Sequence, residues 1–354
     1  MNDISYKKGR GAQLNTANRF LAHRYEPDED AFEVPDEDFP PPRVKTQFFA
    51  ENAKKVVNFI ESPDMYGMRF VNPYQGCEHG CIYCYARNSH EYWGFSAGLD
   101  FESKIMVKKN APELVEKAFK SKTWECTPIS LSGNTDCYQP AEKEFCLTRK
   151  ILEVCLKYRN PVGILTKNAL VLRDLDLLKP LASMGLVHVF VSLTTLNEKV
   201  RLAMEPRTVT AQQRLRVLAT LTQAGIPTGV MTAPIIPGLT DHEIPAMIEV
   251  AAQAGAATAG YTIVRLNGAV ATIFEDWIQK NFPDRAEQVL IQIKDCHGGQ
   301  LGDSRFGKRM KGEGHYAEYI AQLHRIARQK YMKGRQLPTL NTSLFMRDGQ
   351  LRLF

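Results

Sequence analysis

The fold of this chain is decided by the stretch Asn72-Pro-Tyr-Gln-Gly-Cys-Glu-His-Gly-Cys-Ile-Tyr-Cys-Tyr85. Three cysteines stand there in the spacing C-x3-C-x2-C, and Gly76 and Gly80 directly precede the first two. Glycine tolerates φ > 0 and lets backbone pass close to a bulky group, so the loop can turn its thiolates toward one point. Three sulfur ligands on one short loop indicate an iron–sulfur cluster or zinc.

The ligand set of this loop is incomplete. Either metal usually takes a fourth ligand, and no fourth cysteine or pair of histidines follows at a short interval. His79 lies inside the loop, but its sulfur-rich surroundings disfavour it as a ligand. An iron without a protein ligand is open to a small molecule. The alternative is a coincidental group of buried thiols, which the polar, glycine-rich neighbours disfavour.

The loop resembles the signature of radical S-adenosylmethionine enzymes, in which an aromatic residue, here Tyr83, precedes the last cysteine. The resemblance implies that Cys77, Cys81 and Cys84 hold a [4Fe-4S] cluster whose open iron binds S-adenosylmethionine. It also implies reductive cleavage of that cofactor to a 5′-deoxyadenosyl radical, with electrons from a low-potential donor such as flavodoxin or ferredoxin. The longer string from Cys77 to Arg87 is similar to the spore photolyase-like, or DNA repair photolyase-like, branch.

The length and composition of the chain are those of an ordinary globular protein. A chain of 354 residues holds one large domain with extensions or two domains. Its hydrophobic content of 44% and charged content of 24% are ordinary for a globular protein. The net charge of +6 permits an anionic partner without requiring one.

The sequence predicts a cytoplasmic protein that does not enter a membrane. Residues 1–8 lack the apolar segment of a signal peptide, and no run approaches the roughly 20 apolar residues of a membrane span. In a reducing compartment, closely spaced cysteines are more often ligands than disulfides.

Residues 1–55 are predicted to be a partly ordered N-terminal extension. Acidic runs with prolines rarely bury enough apolar surface to fold alone. Five phenylalanines are expected to hold this arm against the core, with a disordered tail as the alternative for residues 1–12: Phe20, Phe32, Phe39, Phe48 and Phe49.

Residues 56–270 alternate short apolar runs with helical periodicity, which predicts an α/β fold with a parallel sheet. The expected strands are 68–71, 127–132, 162–166, 187–193, 228–233 and 258–266. The expected helices between them are 111–120, 141–158, 170–184, 207–224 and 241–254. Six βα units fit the partial (β/α)6 barrel that the radical SAM resemblance implies.

Residues 271–354 are predicted to be a helical C-terminal extension with helices over 273–282, 285–295 and 316–330. Between them, residues 297–314 form a long glycine-rich loop. Four basic residues in it predict a mobile lid for a large anionic substrate such as nucleic acid, unless the loop is merely solvated: Arg305, Lys308, Arg309 and Lys311.

Cofactor-binding residues are expected where the barrel strands end, because reactive groups gather at the carboxyl ends of strands in α/β barrels. After the second strand, Ser132, Gly133, Asn134 and Asp136 replace the Gly-Gly-Glu form of the family and are candidates to bind the cofactor's ammonium. The alternative for this segment is an ordinary Asx turn.

Further candidates follow the fourth and fifth strands. Ser192 and Thr194 suit the ribose or the carboxylate, although this segment also suits a helix N-cap. Arg207 is the first candidate for the methionine carboxylate, with a surface ion pair as the alternative. Pro234 is expected to flank the adenine, and Arg265, if it points inward, requires an anion.

A hydrogen donor is the remaining catalytic expectation. The resemblance to spore photolyase implies a cysteine near the second strand, and Cys137 is the candidate, although no matching local motif surrounds it. Two other functions stay open, namely a non-catalytic iron–sulfur or zinc protein such as an electron carrier, and a nucleic-acid-binding protein. The six βα units argue against a carrier, which needs no barrel.

Anaerobically prepared protein is expected to carry about four irons and four sulfides per chain, the content of one such cluster. A variant with Cys77, Cys81 and Cys84 all changed to Ala should lose both, because these thiolates are the proposed ligands. Iron and acid-labile sulfide analysis is the measurement, and Cys126→Ala is the control that should keep the cluster. Stoichiometric zinc without iron after reconstitution would contradict this expectation.

Overall fold

The chain is organised by a large and a small sheet within residues 7–21, 44–65 and 67–348, the residues that this computed structural model describes. The strands are β1 (Gln47–Glu51), β2 (Val57–Phe59), β3 (Arg69–Val71), β4 (Tyr74–Gln75), β5 (Lys104–Lys108), β6 (Ile129–Leu131), β7 (Val162–Thr166), β8 (Val187–Ser192), β9 (Thr228–Ile235) and β10 (Thr258–Ile263). The α-helices are α1 (Leu99–Ser103), α2 (Ala111–Lys120), α3 (Glu142–Phe145), α4 (Leu147–Tyr158), α5 (Leu175–Ser183), α6 (Glu198–Met204), α7 (Ala211–Gln223), α8 (Ile244–Gln253), α9 (Ala269–Asn281), α10 (Pro283–Cys296) and α11 (His315–Tyr331). Short 3-10 helices span Pro63–Met65, Tyr85–Trp93, Ala169–Asp174 and Asp241–Glu243.

The large sheet has the strand order β10-β9-β8-β7-β6-β3-β2 in the described part of the chain. Neighbours from β3 to β10 run parallel, whereas β2 pairs with β3 in the antiparallel sense at the edge. Each parallel strand is followed by a helical connection to its neighbour, which places consecutive strands side by side. The predicted α/β fold, with its sheet of parallel strands in chain order, is confirmed.

Alternation along each strand separates a helix-facing side from a cavity-facing side. On β8, Val187, Val189 and Val191 belong to the hydrophobic cluster between the sheet and the outer helices. His188 and Phe190, between them, line an internal cavity. Successive side chains of a strand point to opposite faces, so one sheet supplies both the core and the cavity wall.

Two predicted helices differ from the structure in their boundaries. The helix expected over 141–158 is interrupted at Cys146, whose φ of 52° is left-handed, and forms α3 and α4. The helix expected over 170–184 begins as the 3-10 segment Ala169–Asp174 and continues as α5. No helix among the described residues is long and apolar enough to cross a membrane.

The predicted N-terminal extension contributes a strand to the fold. β1 pairs with β5 in parallel, and β4 completes a small sheet that the sequence did not predict. Ring contacts tie three phenylalanines to the core, namely Phe20 with Tyr92 (4.8 Å), Phe48 with Phe145 (5.1 Å) and Phe49 with Phe95 (5.6 Å). Phe32 and Phe39 lie outside the described residues.

Residues 7–21 are attached to the core through the buried carboxylate of Glu102. The backbone N–H groups of Gly11 and Ala12 donate to it at 2.9 and 2.8 Å. The guanidinium of Arg87 forms an ion pair with it at 2.5 Å, and both side chains are fully buried. A side chain at Gly11 would overlap the carbonyl oxygen of Gly80, so the arm lies directly against the cysteine loop.

The C-terminal helices pack onto the same core. Phe274 and Trp277 of α9 share a hydrophobic cluster with Cys81 and Ile82 of the cysteine loop. α11 packs on α8 and β10. The helices predicted over 273–282, 285–295 and 316–330 are therefore present, and the first two belong to the hydrophobic cluster that supports the cysteine loop.

The basic loop does not present four free charges. Arg305 pairs with Asp303 at 2.8 Å and with Glu313, which also pairs with Lys308. Arg309 pairs with Asp64 at 2.6 Å. Lys311 donates to the carbonyl oxygen of Tyr261 at 2.9 Å. The expectation that this loop offers its charge to an anionic substrate is corrected, because acidic side chains and a carbonyl oxygen already take up these four groups.

Glu102→Gln is expected to lower the free energy of unfolding by about 3–5 kcal/mol, because the guanidinium of Arg87 then stays buried without a carboxylate. Denaturant unfolding is the measurement. Asp100→Asn is the matched control, since Asp100 pairs with Lys104 at 3.1 Å in a partly exposed contact that is worth less than about 1 kcal/mol. Equal effects of the two changes would contradict the assignment.

Candidate active site

An internal cavity of about 720 Å³ lies along the concave face of the large sheet. It extends from the cysteine loop, at the carboxyl ends of the strands, to Pro128 and His188 at the amino ends of β6 and β8. Ligand pockets commonly have volumes of about 300–1,000 Å³. The cavity is therefore large enough for a ligand of cofactor size.

The three cysteines of the loop line one end of this cavity as free thiols. Gly76 and Gly80 have φ values of 78° and 68°, which glycine adopts without strain. A Cβ on Gly80 would lie 2.7 Å from Oε2 of Glu102, so this position has no room for a side chain. The glycines before Cys77 and Cys81 thus allow the tight loop that the sequence predicted.

Burial makes these thiols poor acids in the absence of a metal. It raises the pKa of Cys81 to about 12 and also raises the pKa values of Cys77 and Cys84. Coordination to a metal favours the thiolate strongly, so a positively charged metal group fits this donor set. In the described residues, no three His, Cys, Asp or Glu side chains are close enough together to hold a single metal ion.

Lys167 is a cationic residue of the cavity wall that the sequence analysis missed. It directly follows β7, the one strand whose carboxyl end was not considered. Within the described residues it forms no ion pair, and Nζ lies 6.0 Å from the centre of the Tyr83 ring. Burial alone would lower the pKa of Lys167, but Cys81 and Glu205 outweigh that effect and raise it. A charged ammonium therefore faces the cavity beside the cysteines.

Glu205 holds the cysteine loop from behind the cavity wall. Its fully buried carboxylate accepts hydrogen bonds from the hydroxyl groups of Tyr83 and Thr194 and pairs with Arg214. Arg214 also donates to the carbonyl oxygen of Ser192 at 3.1 Å. Tyr83 and Ser192 line the cavity, whereas Thr194 does not. The expectation that Thr194 binds the cofactor is corrected, because its hydroxyl is bound inside this network.

Asp136 connects the cysteine loop to two strand ends. Its carboxylate accepts hydrogen bonds from the hydroxyl of Thr166 and the N–H of Lys167 at 2.8 Å and from the N–H of Tyr138 at 2.9 Å. Nδ1 of the buried His79 lies 3.4 Å away. Burial would raise the pKa of Asp136, but His79 and these N–H donors lower it to about 2. Asp136 lines the cavity, yet protein groups already occupy both of its oxygen atoms.

The other predicted residues after β6 form a tight turn in the cavity wall. A side chain at Gly133 would overlap the ring of Phe70, so only glycine fits there. Ser132 has a left-handed φ of 74°, and its hydroxyl accepts from the N–H of Cys137 at 2.7 Å. The side-chain amide of Asn134 contacts Oγ of Ser89 at 3.4 Å. Ser132, Gly133 and Asn134 all line the cavity, as does Pro234 after β9.

Besides Thr194, two predicted site residues lie outside the cavity wall. Cys137 is fully buried in the hydrophobic cluster on the helix side of the sheet, so its thiol is not placed to donate hydrogen to a ligand in the cavity. The guanidinium of Arg207 lies 3.4 Å from the carboxylate of Glu78. Arg207 thus takes the alternative role of an ion pair, and Lys167 replaces it as the cation that faces the cavity.

Two further polar residues line the cavity, Arg265 after the carboxyl end of β10 and His188 near the amino end of β8. Arg265 contacts the sulfur of Met310 at 2.8 Å and lies over the ring of Tyr85 at 5.4 Å, and it has no carboxylate partner among the described residues. Nε2 of His188 is buried without a hydrogen-bond partner, next to Gly163 on β7, where a Cβ would meet open space. The alternation of side chains along β8 could have placed His188 on one face of the sheet. Only the folded sheet shows that this face lines the cavity.

Comparison with known proteins identifies a matching family and two related sequences. The sequence profile described as the Radical SAM superfamily matches residues 71–251. An uncharacterised protein of Mycobacterium tuberculosis is 34% identical over 232 residues, which are 65% of this chain and 67% of that protein. An uncharacterised protein of Methanocaldococcus jannaschii is 32% identical over 245 residues, which are 69% of this chain and 86% of that protein.

A solved structure shares the fold. The structure of spore photoproduct lyase complexed with dinucleoside spore photoproduct superposes with a TM-score of 0.59, covering 81% of this chain and 80% of that one. The sequence identity is 16%, so the similarity shows the fold alone.

Glu205→Gln is expected to remove about 3 kcal/mol of stability at neutral pH. Burial raises the pKa of Glu205, but Arg214 and Lys167 outweigh it and lower the pKa from 4.5 to about 2. A carboxylate with a lowered pKa stabilises the fold above its unfolded-state pKa, and this stabilisation is lost as the pH falls from about 4.5 to 2.

Unfolding experiments across this pH range are the measurement, and the Gln variant should have a shallower acid dependence than the parent. Thr194→Val is the control, because it removes one hydrogen bond at 3.0 Å and leaves the carboxylate charged. It should cost about 1 kcal/mol and keep the parent's acid dependence. An unchanged acid dependence in Glu205→Gln would refute the assignment.

Proposed function

Because the chain belongs to the radical SAM superfamily, as its cysteine loop predicted, we propose that it cleaves S-adenosylmethionine reductively at a [4Fe-4S] cluster held by Cys77, Cys81 and Cys84. The observation that carries this proposal is that three free thiols and the unpaired ammonium of Lys167 line one end of the same cavity. When bound, the cluster and the cofactor supply the electron transfer that yields a 5′-deoxyadenosyl radical. Membership in this superfamily supports the prediction that the protein is an enzyme.

The residues of the cavity wall have separate roles in this proposal. Lys167 would bind the methionine carboxylate, and Ser132, Gly133 and Asn134 would lie around the ammonium. Asp136 would position that turn through its backbone N–H partners rather than bind the cofactor itself.

The remaining cavity residues would bind the other half of the cofactor. Ser192 is the candidate for the ribose, and Pro234 for the adenine. Tyr83 would fix the loop beside them, because its hydroxyl is held by Glu205 and its ring lies under the Lys167 ammonium.

Reduction of the cluster requires an external donor of low potential, and flavodoxin or ferredoxin is the proposed partner class. A reducing cytoplasm would suit the eight cysteines, which are all free thiols. An electron carrier without catalysis is the second candidate, but it has no use for a cavity of about 720 Å³ beside the cysteines.

Nucleic acid is the proposed substrate class. The fold is shared with a lyase whose structure contains a dinucleoside spore photoproduct. The cavity is also lined by Arg265, beside Tyr85, and by His188, whose buried Nε2 has no hydrogen-bond partner among the described residues. A nucleotide offers its phosphate anion to Arg265 and the hydrogen-bonding edge of its base to His188. Cys137 has no role in this proposal, because it lies in the core.

Release of 5′-deoxyadenosine tests the reaction. Anaerobically reconstituted protein, supplied with S-adenosylmethionine and a chemical reductant, should form 5′-deoxyadenosine and methionine. The protein without its cluster is the control and should form neither product. A protein that holds the cluster and binds the cofactor but never cleaves it would support the electron carrier instead.

Lys167→Met is expected to weaken S-adenosylmethionine binding by roughly ten- to hundredfold, since a charge-assisted hydrogen bond contributes about 1.5–3 kcal/mol. Equilibrium binding to the reconstituted protein is the measurement, and iron content should not change. Arg207→Gln is the matched control, because its guanidinium faces Glu78 outside the cavity, and it should bind normally. The reverse pattern would restore Arg207 as the carboxylate ligand.

A further inference from the structure

A second concavity, of about 370 Å³, lies between the edge strand β2, its neighbour β3 and helix α2. Its wall includes the basic residues Lys54, Lys55, Arg69 and Lys117, and none of its described lining residues is acidic. We call this concavity the basic groove. It does not share a lining residue with the cavity that holds the cysteines.

The charges of the basic groove are not neutralised by the fold. Lys54, Lys55, Arg69 and Lys117 form no ion pair within the described residues, in contrast to the basic residues of the 297–314 loop. On α2, Glu116 is paired with Lys120 at 3.2 Å and Lys157 at 2.8 Å, and Glu113, one turn before Lys117, forms no ion pair with it among the described residues. The groove therefore keeps a concentration of positive charge that attracts anions.

Arg69 is the fixed element of the basic groove. Its guanidinium carbon lies 4.3 Å above the centre of the Trp124 ring, and its Nε atom is buried without a hydrogen-bond partner. A buried N–H without a partner costs free energy, which a bound anion recovers. Ser121 and Thr123 line the same wall, and their hydroxyl groups form a hydrogen bond to each other at 2.8 Å, which leaves one hydroxyl proton for a bound anion.

An aromatic side chain gives the groove a second kind of contact. Phe59 on the edge strand β2 lines it and leaves 48% of its surface exposed. Proteins that bind single-stranded nucleic acid combine a basic groove that follows the phosphates with aromatic rings on which bases stack. A small inorganic anion has no use for such a ring.

The basic groove and the cavity lie on opposite faces of the large sheet near its edge strand β2, because lining residues alternate between them along β3. Met68 lines the cavity, and the next residue, Arg69, lines the groove. Likewise Trp124 lines the groove, and Pro128 lines the cavity. We propose that the basic groove binds the phosphodiester backbone of a single-stranded nucleic acid substrate that passes around the edge strand β2 to the cavity, an inference that rests on the proposed function.

The salt dependence of strand binding tests the proposal on the full-length chain. A fluorescent single-stranded oligonucleotide is titrated with protein at several salt concentrations. For single strands, log K falls with log[salt] by about 0.7 per phosphate contact, so Lys54→Gln/Lys55→Gln/Lys117→Gln should reduce the slope by about 2. Arg305→Gln/Lys308→Gln is the matched control, because both residues are paired with Glu313. It should keep the parent's slope.

Phe59→Ala separates stacking from charge. It should weaken strand binding about fivefold or more and leave the salt slope unchanged, because an aromatic ring releases no counterions. A duplex of the same sequence, whose bases cannot stack on Phe59, should bind more weakly than the single strand.

Three results would overturn the proposal, namely an unchanged slope in the triple lysine variant, loss of the slope in the control variant, or displacement of the strand by low concentrations of inorganic phosphate at equal ionic strength. Reductive cleavage of S-adenosylmethionine is measured on the same parent preparation. Cleavage without salt-dependent strand binding rejects the groove and keeps the enzyme, whereas strand binding without cleavage rejects the enzyme.

Discussion

Three thiols at one end of a cavity, two of them buried and one partly buried, are held in place by two buried carboxylates. Glu102 binds Arg87 and the arm that lies against Gly80, and Glu205 binds Tyr83 and Arg214. Glu102 accepts hydrogen bonds from Arg87 and two backbone N–H groups, and Glu205 accepts them from Arg214 and side-chain hydroxyl groups, which is what makes each buried charge tolerable. The loop is thereby fixed at both flanks before any metal is bound.

These buried ion pairs fix the positions of side chains rather than add stability to the fold. Apolar residues of similar volume often stabilise a core as well as a buried ion pair does. Our hypothesis is that the pairs are kept because a metal cluster and its ligand require side chains held within a fraction of an ångström. The same reasoning applies to Asp136, which ties His79 in the loop to the ends of β6 and β7.

The distribution of positive charge depends on pairing rather than on composition. The basic residues of the 297–314 loop are close together in sequence, yet acidic residues of the same loop neutralise Arg305 and Lys308, and Asp64 neutralises Arg309 across 245 residues. Lys54, Lys55, Arg69 and Lys117 are scattered in sequence and converge on one groove. The electrostatic surface that a polyanion meets is therefore a property of the folded chain.

The sequence by itself determined the superfamily, the three cysteines and the parallel sheet, because these depend on local spacing and on the periods of strands and helices. It also located most of the strand-end residues, since parallel strands place their carboxyl ends on one edge. Only the tertiary structure decided that Lys167 faces the cavity, that Cys137 faces the core and that Arg207 pairs with Glu78. Those outcomes depend on strand register and on contacts between distant segments, which no local pattern encodes.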